Sequence, residues 1–401
     1  MVFSTNNLIS MNVLHLLNDF LPATEGWIYP QVIGDSTWRS VVASIYHTNK
    51  ETYPFPRVHS LEDSFPALIK KKPMRILLYR FPSVAAYWLR SKVKQRNIDI
   101  IHCHFGNMAY HFLPMKDYLG VPVVTMFYGY DATMLPVTYP VWKERYKKLF
   151  SKGDRFLVEG TCMKKTLVDL GCPDQKIAIF HLGIDTGGIT YTERHFRKGD
   201  TLRILFAGAF RQKKGVPDAI EAFALAKREY PNMVLTIIGD ASDADGMKEK
   251  SIILGSVARH NLSDSVVFLG FQPKDRLLGE FGKHHLFLSP SRVAENGDKE
   301  GGSPVVITEA SASGLPVIST FHCDIPEVVL NGKTGLLSNE KDVEGLRESI
   351  LFFIRNEEKL IEFGRSGRSH VESEYNLDVQ LGRLRDIYET IVNKDVPSEQ
   401  Q

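Results

Sequence analysis

The sequence predicts an α/β protein built from two doubly wound, parallel-sheet domains, and three observations carry that reading. Short β-branched or apolar runs alternate with longer helix-period segments along nearly the whole chain, which is the signature of βαβ units. The alternation breaks once, at a polar, glycine-containing and aperiodic stretch over 185–202, DTGGITYTERHFRKGDTL, which reads as a linker. The 401 residues, 43% of them apolar, suffice for two or three domains at roughly 100–200 residues each.

Taken in order, the first series of expected strands is MNVLHLL (11–17), RSVVASIY (39–46), IDIIHCHF (98–105), VPVVTMFY (121–128), RFLVE (155–159) and KIAIF (176–180). Residues 1–187 form the first domain on this reading, and 188–202 the linker. A second series follows with RILFAG (203–208), VLTIIG (234–239), VVFLG (266–270), LFLSP (286–290), PVIST (316–320) and GLLS (335–338), so that 203–376 make the second domain. Between the first two of these strands PDAIEAFALAKREYP is helical by period. Pro217 suits its first turn, and Ala219, Ile220, Phe223, Ala224 and Ala226 form its apolar face.

Bulk charge excludes one class of function. Lys and Arg number 49 against 47 Asp and Glu, a net +2, so no nucleic-acid binder held by overall charge is expected. Locally the balance is uneven. Lys70, Lys71, Lys72, Arg75, Arg80, Arg90, Lys92, Lys94 and Arg96 fall within 70–96 without an acidic residue, interleaved with Leu77, Leu78, Tyr79, Phe81, Tyr87 and Trp88. A second basic stretch, VWKERYKKLFSKGDR, follows at 141–155. Solvated helix faces and attraction to an anionic membrane surface or phosphorylated lipid account for such runs equally well. Cys103, Cys162, Cys172 and Cys323 lack CxxC spacing, which argues against a disulfide framework or zinc site and suits a reducing cytosol. No apolar run approaches the roughly 20 residues of a membrane span. The start, MVFSTNNLISMNVLHLL, lacks the basic head of a signal peptide. The expectation is a cytoplasmic protein, with peripheral attachment to the inner face of the cytoplasmic membrane left open.

In doubly wound sheets ligands bind outside the carboxyl ends of the strands, so the loops after strands carry the chemistry, and with two domains the cleft between them is the expected site. In EGGSPVVITEASASGLPVIST (300–320), Ser303 and Pro304 suit an N-cap and a first helical turn, and Gly301 and Gly302 permit close backbone approach. The unpaired N–H groups and dipole of that helix start favour a phosphate, although an ordinary capped helix is the plainer reading. Glu309 falls in the second turn, able to accept from hydroxyls such as those of a ribose, in a segment otherwise of small or apolar residues. The second loop, GAFRQKKG (208–215), is neither a Walker A sequence nor G-x-G-x-x-G. It brings Arg211, Lys213 and Lys214 to a strand's carboxyl end, either as a surface cluster or as a diphosphate clamp.

Residues 203–338 resemble the donor-binding domain of GT-B fold glycosyltransferases, in particular the large retaining group called family 4 and its branch making bacterial exopolysaccharides such as colanic acid and amylovoran. The resemblance rests on ILFAGAFRQKKG, LTIIGD, VVFLGF, LFLSPSRVAENGDKEGGSPVVITEASASGLPVIST and DIPEVVLNGKTGLL, in that order. The first half matches less strongly, through FLPATEGWIYPQV, IHCHFG, YGYD and HLGID. It implies a GT-B fold of two Rossmann-like domains facing each other across a cleft, the first binding the acceptor and completed by a C-terminal helix over 377–395, the second binding a nucleotide-diphosphate sugar. It also implies that no metal or other cofactor is needed. By the same resemblance Glu309 accepts from the ribose hydroxyls. Glu300 with Gly301, Gly302, Ser303, Pro304 and Val305 holds the transferred sugar and distal phosphate. Gly208, Arg211 and Lys214 meet the diphosphate, and Phe271 and Gln272 lie near the base. Glu300, Arg211 and Lys214 are the implied catalytic groups, while Glu25, Gly26, His104, Tyr128 and Asp131 lie on the acceptor side.

Three departures from the family pattern stand out. Eight residues, GGSPVVIT, separate Glu300 from Glu309. The family usually has seven, and Glu295 is a rival for the role of Glu300. Ala209 stands where the family often has Arg, so Arg211 must substitute. Tyr128-Gly129 replaces a His-Gly pair, and a tyrosine can donate a hydrogen bond but cannot become a cation near pH 7.

Two further patterns carry less. His102 and His104 alternate on a strand and share a face, yet no third ligand is visible, so a metal is not expected there. Asp243-Ala244-Asp245 spells a D-x-D in a polar loop, read as plain loop chemistry. The expected function is that of a retaining glycosyltransferase moving a sugar from a nucleotide-diphosphate donor to a saccharide or lipid-linked saccharide acceptor in cell-surface glycan biosynthesis. The alternatives are another GT-B enzyme, such as a nucleotide-sugar epimerase or a phosphorylase, or a non-catalytic nucleotide-sugar-binding assembly partner.

Overall fold

The computed structural model describes residues 11–22, 25–34, 36–69, 83–93 and 96–393. The chain forms two compact units, Met1–Gly183 together with Leu377–Gln401, and Ile184–Asn376.

In the first unit β1 (Met11–Phe20), β2 (Trp38–His47), β3 (Val58–Ser60), β4 (Ile100–His104), β5 (Val123–Met126), β6 (Arg155–Val158) and β7 (Ile177–Ile179) form one sheet in the order β3-β2-β1-β4-β5-β6-β7. Every pairing is parallel. All six expected strands are present; β3 was missed because three residues, VHS, are too short to show an alternation. Leu14 and Leu16 of β1 and Ile101 and Cys103 of β4 turn one face toward Phe112, Tyr146, Leu149 and Phe150 of the helices Gly106–Leu119 and Val141–Lys152. Their alternate neighbours, His15, His102 and His104, lie on the opposite face with the helix Leu377–Val392, whose Tyr388 hydroxyl meets His102.

The second unit repeats the plan. β8 (Leu202–Ala207), β9 (Met233–Ile238), β10 (Val266–Gly270), β11 (Leu286–Ser289), β12 (Val317–Thr320) and β13 (Gly335–Ser338) form a parallel sheet in the order β10-β9-β8-β11-β12-β13. Both faces are covered, which is why its strands read as continuous apolar runs. Ile204 and Phe206 pack with Ile220 and Phe223 of the helix Val216–Glu229, while Leu205 and Ala207 pack with Ile307 and Ala310 of the helix Val305–Ala312. Pro217 sits in the first turn of its helix, as the sequence predicts.

The stretch 188–202 is not a free linker. The Thr192 N–H donates to Ser313 O at 3.0 Å, and the buried Arg194 guanidinium donates to the same carbonyl at 2.8 Å. Its polar residues satisfy the C-terminal carbonyl end of the helix Val305–Ala312, so a segment without periodicity is nonetheless part of the second unit. No disulfide joins the four cysteines, and no helix among the described residues is long and apolar enough to cross a membrane.

Candidate active site

The second sheet reverses its strand order between β8 and β11, and the loops after these two strands are the two the sequence singles out. They are laced together. Arg292 Nη1 donates to both Asp218 carboxylate oxygens at 3.0 Å, Arg292 N donates to Lys213 O at 2.9 Å, and Glu295 N donates to Gln212 Oε1 at 2.7 Å. Lys213 Nζ reaches Asp298 Oδ1 at 3.2 Å. Gly215 makes the approach possible: its φ is +64°, and a Cβ there would stand 2.0 Å from the Pro290 carbonyl oxygen.

Glu300 ends the β11 loop with 7% of its surface exposed. Lys214 Nζ lies 2.8 Å from Oε1, Lys213 Nζ 4.0 Å from Oε2, and Ser291 Oγ donates to Oε1 at 3.3 Å. Burial works against the charged carboxylate, but the Lys214 and then the Lys213 ammonium groups outweigh it and hold Glu300 below its ordinary value. The backbone is fixed as well. Glu300 N donates to His322 Nε2 at 3.1 Å, which makes that nitrogen an acceptor, so the ring proton sits on Nδ1 and is donated to Glu340 Oε1 at 2.6 Å. Glu340 also accepts from Val293 N at 2.8 Å. The extra residue before Glu309 therefore leaves Glu300 against the lysine pair, whereas its rival Glu295 is exposed.

The helix starts later than the sequence predicts. Pro304, with ψ 126°, is the N-cap rather than a first-turn residue, and Ile307 N donates to its carbonyl at 2.8 Å. Ser303 does not cap the helix, and its hydroxyl is buried without a partner among the described residues. Glu309 is buried in the second turn, and Lys274, at the start of the helix after β10, reaches its Oε1 at 3.0 Å. Phe271 on the intervening loop is exposed, and Gln272 donates back to Leu269 O. Arg211 departs from expectation: its guanidinium is paired with Asp243, the N-cap of the helix Ala244–Arg259, and no direct contact ties it to Glu300. Asp243 of the D-x-D thus serves as a cap and ion-pair partner.

In the first unit the order reverses between β1 and β4. Gly26 lies tight against Tyr53, whose hydroxyl would be 2.4 Å from a Cβ there. Tyr128 is buried, stacks on His104 and shares a 2.6 Å hydrogen bond with His104 Nδ1. Asp131 is 1% exposed and faces inward: Gly106 N donates to Oδ2 at 2.7 Å, and Tyr128 N and Gly129 N to Oδ1 at 3.1 Å. It clamps the loops after β4 and β5. Burial pushes its carboxyl up to about 6 against those three donors. His104, too, is fully buried, in a cluster with His15 and His102, and burial holds all three imidazoles below their ordinary value.

Burial, then the Asp19 and Asp131 carboxylates, pushes Glu25 up to about 7 from 4.5. Between those values the native chain keeps a proton that the unfolded chain has released, so stability falls as pH rises from 4.5 through about 7. Glu25→Gln is expected to flatten that part of the stability curve, read by urea denaturation across pH; an unchanged slope would assign the proton to another group.

Several residues escaped the sequence: Lys274 on Glu309, His322 and Glu340 behind Glu300, and His15 beside His102. None lies near its partner in sequence except through the sheet. Of the basic stretch 70–96, residues 70–82 and 94–95 lie outside the described residues. Arg90 stacks its guanidinium 3.9 Å from the Tyr118 ring centre, and Lys92 lies 5.7 Å from that of Trp88.

Comparison with known proteins agrees with this architecture. Residues 190–370 match the family described as glycosyl transferases group 1, and residues 44–187 match glycosyltransferase family 4. The chain is 30% identical over 296 residues to the amylovoran biosynthesis glycosyltransferase AmsK of Erwinia amylovora, covering 73% of this chain and 70% of that one. It is 26% identical over 315 residues to the N-acetyl-alpha-D-glucosaminyl L-malate synthase of Bacillus anthracis, covering 76% and 78%. In structure it is similar to HepE of Anabaena in complex with UDP, with a TM-score of 0.76 at 15% identity over 95% of this chain and 100% of that one.

Proposed function

The chain belongs to the group 1 glycosyl transferases, and from that premise we propose that it transfers a sugar, with retention of anomeric configuration, from a nucleotide-diphosphate sugar to a saccharide or lipid-linked saccharide in exopolysaccharide biosynthesis. One observation carries the donor assignment: Glu300 and Lys214 are paired at 2.8 Å beside a helix start whose Ser303 hydroxyl has no partner among the described residues. The UDP in the HepE complex and the amylovoran pathway in the AmsK name support the same reading.

In this mechanism the bond between the sugar C1 and the diphosphate breaks with its electron pair on the phosphate oxygen. Lys214, with Arg211 once released from Asp243, and the first N–H groups of the helix Val305–Ala312 stabilise that charge. Glu300, ionised and freed from Lys214, accepts from a sugar hydroxyl, and Glu309 accepts from the ribose. The acceptor hydroxyl attacks on the face the diphosphate leaves, and its proton passes to the departing phosphate. Positioning dominates, since no side chain in the second unit's site is a covalent nucleophile in this scheme. The first unit, with Glu25, Gly26 and the Tyr128 loop, takes the acceptor. Neither a metal nor another cofactor enters the scheme, and attachment to an anionic membrane surface through 70–96 fits a lipid-linked acceptor.

The product anomer, read by NMR with and without acceptor, tests the reading, and inversion would overturn it. A thermal-shift panel of UDP-, GDP- and dTDP-sugars identifies the base. Glu309→Ala is expected to weaken nucleotide-sugar binding at least tenfold, about 1.4 kcal/mol; unchanged affinity by calorimetry would sink the ribose assignment.

A further inference from the structure

β1 and β4 are neighbours, with His15 opposite His102 in register, and His102 and His104 are two apart on one strand. The three imidazoles therefore share one face of the sheet, and each is completely buried. One nitrogen from each lies within 4.8 Å of the others, and His15 Nδ1 is 3.0 Å from His104 Nε2. The nitrogens on the far side of each ring are held by hydroxyls: His15 Nε2 by Ser40 at 3.2 Å, His102 Nδ1 by Tyr388 at 2.6 Å and His104 Nδ1 by Tyr128 at 2.6 Å.

Hydrogen bonding within the cluster does not close. A single N–H···N bond satisfies the contact between His15 and His104, but His102 Nε2 is buried without a partner among the described residues. We propose that His15 Nδ1, His102 Nε2 and His104 Nε2 form a binding site for a divalent transition metal of the zinc class. With the ion bound, all three rings take one consistent set of tautomers, each keeping its proton on the nitrogen that faces a hydroxyl in this structure. This is the outer-shell arrangement that orients metal-bound histidines. Three neutral imidazoles suit Zn(II) and Co(II), and leave a fourth position for water. Ligand nitrogens about 2.0–2.1 Å from a tetrahedral metal stand about 3.3 Å apart, close to the spacing of His15 and His104. The His102 and His104 rings are 4.3 Å apart and 17° from parallel, so joint ligation turns one of them about its Cβ–Cγ bond. Closed to solvent, the ion ties β1 to β4 where the strand order reverses, and takes no part in breaking the donor bond.

The test uses the full-length chain incubated with Zn(II) or Co(II), dialysed against metal-free buffer and assayed by atomic emission. One retained equivalent is expected, with a raised Tm and, for cobalt, the visible absorption of a tetrahedral nitrogen-donor site. His15→Gln and His102→Gln should each lose that equivalent, while His195→Gln, at an exposed position, should keep it. Metal retained undiminished in His15→Gln, or none retained by the folded unaltered chain, would overturn the proposal. The cobalt spectrum of the unaltered chain decides the matter even where a histidine variant fails to fold: without a tetrahedral signature the site does not exist.

Discussion

Lys214→Ala is expected to lower kcat/KM by about 10²–10³-fold, the scale on which a group aimed at developing negative charge contributes to catalysis. Two losses combine. In the proposed mechanism the departing diphosphate loses its nearest ammonium group. Glu300, 7% exposed, also loses the partner 2.8 Å away and keeps Lys213 at 4.0 Å and the Ser291 hydroxyl at 3.3 Å. Burial, the largest influence on this carboxyl, then acts with less opposition. In the unaltered chain Glu300 is held below 4.5, so its contribution to stability is complete above 4.5 and is lost as pH falls through its folded value. The variant should show a smaller stability loss on that acid limb alongside the kinetic defect. Steady-state kinetics on protein of native circular dichroism checks the first effect; a rate within threefold of the unaltered chain would remove Lys214 from the diphosphate.

Asp131→Ala is expected to destabilise the first unit by about 3–5 kcal/mol, because three buried backbone donors lose their acceptor together. Gly106 N, Tyr128 N and Gly129 N all point at this one carboxylate, and nothing else described receives them. Asp131→Asn keeps the size but turns an NH2 toward donors, so it should recover only part of the loss. Chemical denaturation gives the difference, and a change below about 1 kcal/mol would show that the clamp is dispensable. The result bears on function too, since a residue expected to touch the acceptor is instead an inward-facing brace for the loop carrying Tyr128.

The strands were legible because sheets covered on both faces leave contiguous apolar runs, as in LFLSP and VLTIIG; VHS was not, being too short for any pattern. The glycine turn and acids around 300–309 were legible as one cluster at a strand's carboxyl end, but the helix start was not. Ser-Pro fits N-cap and first turn as well as it fits the two positions before, and only the extended ψ of Pro304 separates them. Arg211 was assigned to the diphosphate from its place after a strand, whereas Asp243, capping a helix two loops away, holds it in the structure. His15 shows why the third imidazole of the cluster was missed: strand parity gives the face of each histidine, but β1 and β4 become neighbours only through the crossover, which no local pattern reports. Lys274, His322 and Glu340 were hidden for the same reason.

The lacing of the β8 and β11 loops makes them a single interlocked cassette. Arg292 clasps Asp218, Gln212 receives Glu295, Lys213 reaches Asp298, and Gly215 leaves no room for a side chain under Pro290. Anyone exchanging these loops with those of a relative has to move 208–218 and 290–300 together, because either half alone arrives with its counter-charges and its shape addressed to a partner that is no longer there.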